Sequence, residues 1–307
     1  LGNYWRCCNN SIPEIGKTVN YLISEKNEES LSGKIMNIED DLKGRVRDFW
    51  DDASCGEVYA SGQSERDYYE SHSNARYELE PYILDFAKFN EGQGKDVLEI
   101  GVGMGADHIE WAKAKPHLLV GIDLTPRAVE HTKNRLTIYG LESEVKVADA
   151  EKLPFANDSF DIVYSWGVLH HSPNTATAIN EVFRVLRPNG IARIMIYHTY
   201  SLTGYMLWMR YALFGGRPFQ TLKEIYSKHL ESPGTKAYSV QETKQLFSGF
   251  SKVNIRTHLT FGDLLQGAVG QRHQGKILSL AKRIWPRKIL KRLFKNHGLY
   301  LLIEAQK

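Results

Sequence analysis

Short apolar runs punctuate the middle of this chain and alternate with stretches of helical spacing. The runs are Asp96-Val-Leu-Glu-Ile100, Leu118-Leu-Val-Gly-Ile-Asp123, Glu144-Val-Lys-Val147, Ser159-Phe-Asp-Ile-Val-Tyr-Ser-Trp166 and Ile191-Ala-Arg-Ile-Met-Ile-Tyr-His198. The spacing predicts a helix over Thr177 to Leu186, with Arg187-Pro-Asn-Gly190 as the loop into the fifth strand. Ser251 to Thr257 and Leu299 to Ala305 read as closing strands. Strands alternating with helices predict an α/β fold with a doubly wound parallel sheet.

The flanks carry different patterns. Residues 1–44 are polar, with apolar positions too sparse for a defined element, and read as a lead segment with one or two short helices. Residues 45–90 are helical and aromatic, with Val46, Phe49, Trp50, Tyr68, Tyr69, Tyr77, Tyr82, Ile83 and Phe86. The strand–helix core occupies 91–198, an insertion follows over 199–250, and 251–307 holds the closing strands with a basic helical insertion.

The first run enters a turn with Gly101, Gly103 and Gly105, and the second ends on Asp123, 22 residues after Gly101. Such a loop lets backbone approach a ligand, and an acid at the second strand end accepts ribose hydroxyls. Two ligands compete for it. Gly101-x-Gly103-x-x-Ala106 fits the dinucleotide fingerprint. Glu99, however, would face a pyrophosphate with like charge, and suits a ligand bearing an ammonium group.

Read as Glu99-x-Gly101-x-Gly103-x-Gly105, and followed by Glu144-Val-Lys-Val-Ala-Asp-Ala150, Leu153-Pro-Phe155 and Ser165-Trp-Gly-Val-Leu-His-His171, the chain resembles the class I S-adenosylmethionine (SAM) methyltransferases. The likeness is to their small-molecule, type 11-like branch, and covers roughly Val97 to His198. It implies a Rossmann-like seven-stranded sheet with a helical N-terminal lid and helical insertions. It also implies SAM as cofactor. Gly101 and Gly103 would underlie its methionine part, Glu99 would reach the ammonium, and Asp123 would hold the ribose with Leu124 against the adenine. Asp149 would accept from the adenine amino group, the Ala150 backbone would meet a ring nitrogen, and Ser165 and Trp166 would border the reaction centre. Tyr68 and Tyr69 on the lid are candidates for substrate contact.

A methyl transfer needs an aligned nucleophile and a place for its proton. The resemblance would place His170 and His171 where the substrate pocket meets the methyl group, as candidates for that base, and His198, at the end of the fifth strand, is a further candidate. The alternative is that one or more of them only packs. No (Asp/Asn/Ser)-Pro-Pro-aromatic motif follows the fourth strand, and the three cysteines, Cys7, Cys8 and Cys55, precede the sheet. Nucleic-acid amino and cytosine C5 methylation are thereby disfavoured. A nucleic-acid methyltransferase whose basic C-terminal segment contacts RNA phosphates, an NAD-linked oxidoreductase and a non-catalytic SAM-binding protein stay as alternatives.

Composition adds little. Hydrophobic residues at 42% support a sizeable core, and the net charge is only +3. The cysteines have neither zinc nor disulfide spacing, which favours a reducing cytoplasm and no bound metal. The chain begins at Leu1 rather than Met, as a trimmed sequence would. Charge is uneven, however. Between Leu264 and Ile303 lie nine Lys or Arg and no acid, beside two apolar stripes: Ile277, Leu280, Ala281, Ile284, then Ile289, Leu290, Leu293, Phe294. This predicts either a solvated basic face or peripheral contact with an anionic membrane. The expected acceptor is a small or lipid-linked metabolite.

Overall fold

The computed structural model describes residues 28–266 and 282–307. Cys7 and Cys8, and Ile277, Leu280 and Ala281 of the first basic stripe, lie outside the described residues. Among the described residues three α-helices precede the sheet: α1 (Glu28–Asp52), α2 (Glu65–Leu79) and α3 (Tyr82–Ala87). The helix α1 thus runs through the boundary expected at residues 44 and 45. A capping box starts α2: the Ser64 side chain accepts from Asp67 N, and the Asp67 side chain accepts from Ser64 N.

The core follows in order: β1 (Asp96–Ile100), α4 (Ala106–Lys113), β2 (Leu118–Asp123), α5 (Pro126–Tyr139), β3 (Glu144–Val147), β4 (Phe160–Trp166), α6 (Thr175–Val185) and β5 (Leu186–Tyr197). Then come α7 (Leu202–Trp208), α8 (Leu222–His229), α9 (Val240–Leu246), β6 (Lys252–His258), α10 (Arg287–Leu293) and β7 (Tyr300–Gln306). The seven strands form one sheet in the order β3-β2-β1-β4-β5-β7-β6. β1 to β5 pair in parallel, whereas β7 runs antiparallel to both β5 and β6. The sheet is therefore mixed rather than wholly parallel.

Strand alternation builds two cores. Val97, Ile162, Tyr164 and Met195 pack on one face; Leu98, Ile100, Val163 and Ile194 pack on the other. Both faces being covered explains why β1 reads as a continuous apolar run, all five of its residues buried.

Local chemistry sets the ends. Asn174 caps α6 by accepting from Thr177 N, so the helix starts at Thr175, two residues before the periodicity shows it. The loop expected at Arg187–Gly190 sits inside β5, which pairs first through Leu186 and Phe160 and then, after an irregularity, through Ile191 and Ile162. Asn189 takes a left-handed φ of 67° there. The stripe over Ile289–Phe294 also divides. Leu290 and Phe294 face a small apolar cluster, while Ile289 and Leu293 are exposed.

Candidate active site

A cavity opens at the carboxyl ends of β1, β2 and β4, the position a doubly wound sheet reserves for a ligand. Its floor is the loop after β1. Gly103 has φ +52°, and a Cβ placed on it would meet no atom within 4 Å, so it leaves open space where a ligand can lie against backbone. Gly101 serves another purpose. A Cβ there would stand 2.1 Å from Val168 Cγ2, so this glycine is required by packing against the loop after β4. It still lines the cavity.

Glu99 is buried at the end of β1, with Oε2 2.8 Å from His108 Nδ1. The protons can be placed from the chain of contacts behind it. Ser143 Oγ donates to the Leu119 carbonyl at 2.8 Å. It must then accept from His108 Nε2, also 2.8 Å away. Burial holds His108 neutral, its pKa pulled down to about 3, so Nδ1 carries no proton and accepts one from Glu99. The Glu99 carboxyl agrees: burial, with Asp107 and Asp123 nearby, raises it well above the usual range. A buried, protonated acid flanked by further carboxylates lacks a cation.

Asp123 closes the end of β2. It accepts from Gly103 N at 3.1 Å and from both Thr125 N and Oγ1 at 3.0 Å, and burial raises its pKa. Leu124, Asp149, Ala150 and Trp166 also border the cavity. Asp149 is more committed than the sequence suggests: Oδ2 takes Lys43 Nζ of α1 at 2.7 Å, and Oδ1 accepts from Glu151 N at 2.9 Å.

His171 is the histidine that reaches the cavity. Its Nδ1 lies 2.8 Å from Ser232 Oγ and 3.2 Å from Thr235 Oγ1. Thr235 Oγ1 gives its own proton to the Ser232 carbonyl, so it can accept one from Nδ1. His171 Nε2 lies 3.4 Å from a Glu231 carboxylate oxygen, without hydrogen-bond geometry. Trp50 of α1 meets the ring edge-on at 5.4 Å.

The other candidates stand elsewhere. His170 is fully buried, packs against Tyr197 with ring centroids 4.0 Å apart and the rings tilted by 42°, and has no hydrogen-bond partner on either nitrogen. Burial first, then His171, hold its pKa well below the usual range. It does not border the cavity, and its contacts are those of a packed ring. His198 gives its Nδ1 to Gly298 O at 3.1 Å, outside the cavity. Ser165 is buried beneath the loop and donates to Ile100 O at 3.0 Å, bracing it. Tyr68 points to Glu57 at 3.4 Å and Tyr69 to His131 at 3.2 Å, so neither lines the cavity. The aromatic walls are Trp50, Trp166, Tyr197 and Tyr300.

Sequence reasoning missed Lys43, Ser54, Arg76, Glu80 and Glu231, all of which line the cavity. Arg76 grips Asp107 through Nε at 2.8 Å and Nη2 at 2.6 Å, while Tyr77 and Tyr164 donate to the same carboxylate. The Ser54 hydroxyl is buried without a partner. His170, His171 and Glu231 also offer atoms within 4.8 Å of one another, a grouping of metal-ligating residue types that the sequence did not suggest. Across the lining, six acidic residues (Glu80, Glu99, Asp107, Asp123, Asp149, Glu231) face two cationic side chains, Lys43 and Arg76. This balance fits a cationic ligand such as SAM, with its sulfonium and ammonium, and opposes a pyrophosphate.

Comparison with known proteins agrees. Residues 98–194 match the methyltransferase domain family. A 27-O-demethylrifamycin SV methyltransferase of Amycolatopsis mediterranei is 35% identical over 99 residues, which are 32% of this chain and 36% of that protein. An erythromycin 3''-O-methyltransferase of Saccharopolyspora erythraea is 34% identical over 124 residues, 39% of this chain and 40% of that one. The chain thus spans less than half the length of these curated relatives. Among solved structures, a phosphoethanolamine N-methyltransferase of Haemonchus contortus shares the fold, with a TM-score of 0.54 at 17% identity, covering 85% of this chain and 60% of its own. Residues 98–194 thus form a methyltransferase domain on a Rossmann-like sheet.

Proposed function

We propose that this chain transfers a methyl group from SAM to an oxygen or nitrogen of a small or lipid-linked metabolite. The carrying observation is the carboxylate-rich cavity above Gly103, with a polarised histidine on its far side. Glu99 would hold the cofactor's ammonium, Asp123 its ribose hydroxyls, and Leu124, Asp149 and Ala150 its adenine. When bound, SAM supplies an activated methyl group on a cationic sulfur.

The remaining work falls to side chains of this protein. Trp50, Trp166, Tyr197 and Tyr300 wall off the acceptor and exclude water. His171 Nε2 takes the acceptor proton, Ser232 and Thr235 hold its ring through Nδ1, and Glu231 steadies the imidazolium that results. A lipid-linked acceptor would bring peripheral contact with an anionic membrane.

Incubating the protein with labelled SAM and panels of hydroxyl and amine acceptors tests the reading. Label should pass to an acceptor, and His171→Ala should lower turnover by about 10²–10⁴ with cofactor affinity kept. Full activity of His171→Ala from pH 6 to 9 would remove the base. Co-purification of a dinucleotide instead of SAM, shown by mass spectrometry, would overturn the whole reading.

A further inference from the structure

Phe214 is 81% and Phe219 97% exposed, far outside what a soluble surface ordinarily shows for aromatic side chains. They stand on the loop after α7, which continues as a π-helical turn, Met209–Leu213, and also exposes Met209 and Leu213. The loop is firmly held. Phe214 N donates to Met209 O at 2.9 Å, Arg217 N to Ala212 O at 2.8 Å, and Trp208 Nε1 to Gln220 O at 2.7 Å. Its charge has one sign: from Tyr200 to Lys223 the sequence has Arg210, Arg217 and Lys223 and no acid.

A second patch has the same make-up. On α10 and its approach, Ile284, Ile289 and Leu293 are exposed among the exposed cations Arg283, Lys288, Lys291, Arg292 and Lys295. No ion pair among the described residues uses any of these five, nor Arg210 or Arg217. The two patches belong to one packed unit. Leu202 of α7 and Leu290 of α10 share an apolar cluster with Leu264, and Tyr205 OH lies 3.0 Å from His297 Nδ1.

We infer that this unit docks the protein on an anionic phospholipid bilayer, with Phe214 and Phe219 entering the interface and the flanking cations meeting lipid phosphates. Exposed aromatics with Arg210 and Arg217 beside them in sequence, together with the cationic, acid-free patch on α10, match the two attractions a bilayer surface offers: apolar burial and negative potential. A second copy of the chain is a poorer occupant, because its own cations would face these. The inference does not depend on methyl transfer, since binding is read without it.

The test is co-sedimentation with phosphatidylcholine vesicles, with and without phosphatidylserine. Binding should require the anionic lipid and weaken at high salt, because screening acts over about 8–10 Å. The double variant Phe214→Ser, Phe219→Ser should lower partition by about tenfold or more. Replacing Lys288, Lys291 and Arg292 by Gln should also lower it and flatten the salt dependence. All five side chains are exposed, and an unchanged Tm would show the fold intact. Wild-type partition of the Phe variant, equal binding to neutral vesicles, or no binding to anionic ones at low salt would overturn the inference. So would a dimer in light scattering that the Phe substitutions dissolve, since the face would then belong to a second copy.

Discussion

Glu99 carries the most informative proton in the molecule. In the free protein burial keeps it protonated, with its hydrogen bond running to neutral His108. A bound ammonium favours the carboxylate, so binding should lower this pKa and release a proton. Affinity for SAM should therefore rise with pH until Glu99 ionises in the free protein, then level off. Calorimetry in buffers of different ionisation enthalpy would measure the release; heats identical in all of them would place the ammonium elsewhere. Gly103 offers a second test. Its surroundings leave room for a methyl group, so Gly103→Ala should cost only about 1 kcal/mol of stability, from the left-handed backbone. It should weaken cofactor binding more than that, because the methyl would intrude on the ligand.

Among elements, the decisive tie joins α2 to α4. Asp107, in the first turn of α4, is buried, and Arg76 of α2 neutralises it with two hydrogen bonds. Burial alone would raise the Asp107 pKa, but Arg76 and the two tyrosines hold it below the usual range. Arg76→Met should destabilise the protein by about 3–5 kcal/mol in urea unfolding, since it strands a buried charge. Adding Asp107→Asn should recover part of that loss; strict additivity would mean that the two side chains are not energetically joined. This tie could not be read from sequence, although Arg76 stood in plain view. Its partner lies 31 residues away, and nothing in helical spacing reports a contact between helices. The capping of α6 was missed for a different reason: Asn174 acts through one side-chain hydrogen bond, which leaves no periodic trace.

On the scale of the whole molecule, the cofactor should act as a brace across the sheet, the loop after β1 and the C-terminal turns of α1. At about 100 times its dissociation constant it should add about 2.7 kcal/mol of stability, seen as a Tm rise of several degrees. NAD at equal concentration should add nothing; a matching rise would favour the dinucleotide. The strands and the floor of the cavity were legible because each motif from Glu99 to His171 is local in sequence and set by strand period and turn chemistry. The far wall was not. Glu231, Ser232 and Thr235 meet His171 from about sixty residues away, out of an insertion whose placement follows from packing rather than from pattern. Lys43 meets Asp149 across 106 residues for the same reason.

The contact between Gly101 and Val168 has a consequence for how such a site changes over generations. With only 2.1 Å for a Cβ, any larger residue at 101 collides with the segment that leads to His171. The cofactor loop and the histidine loop are thus inherited as a pair. A library that varies position 101 alone should return almost no active clones. One that varies 101 and 168 together should recover few more, because the left-handed φ of +84° at 101 strains any side chain there whatever space 168 leaves. Lineages that retune this site for a new acceptor would then travel through the insertion, where Glu231 resides, while the glycine and its valine stay fixed.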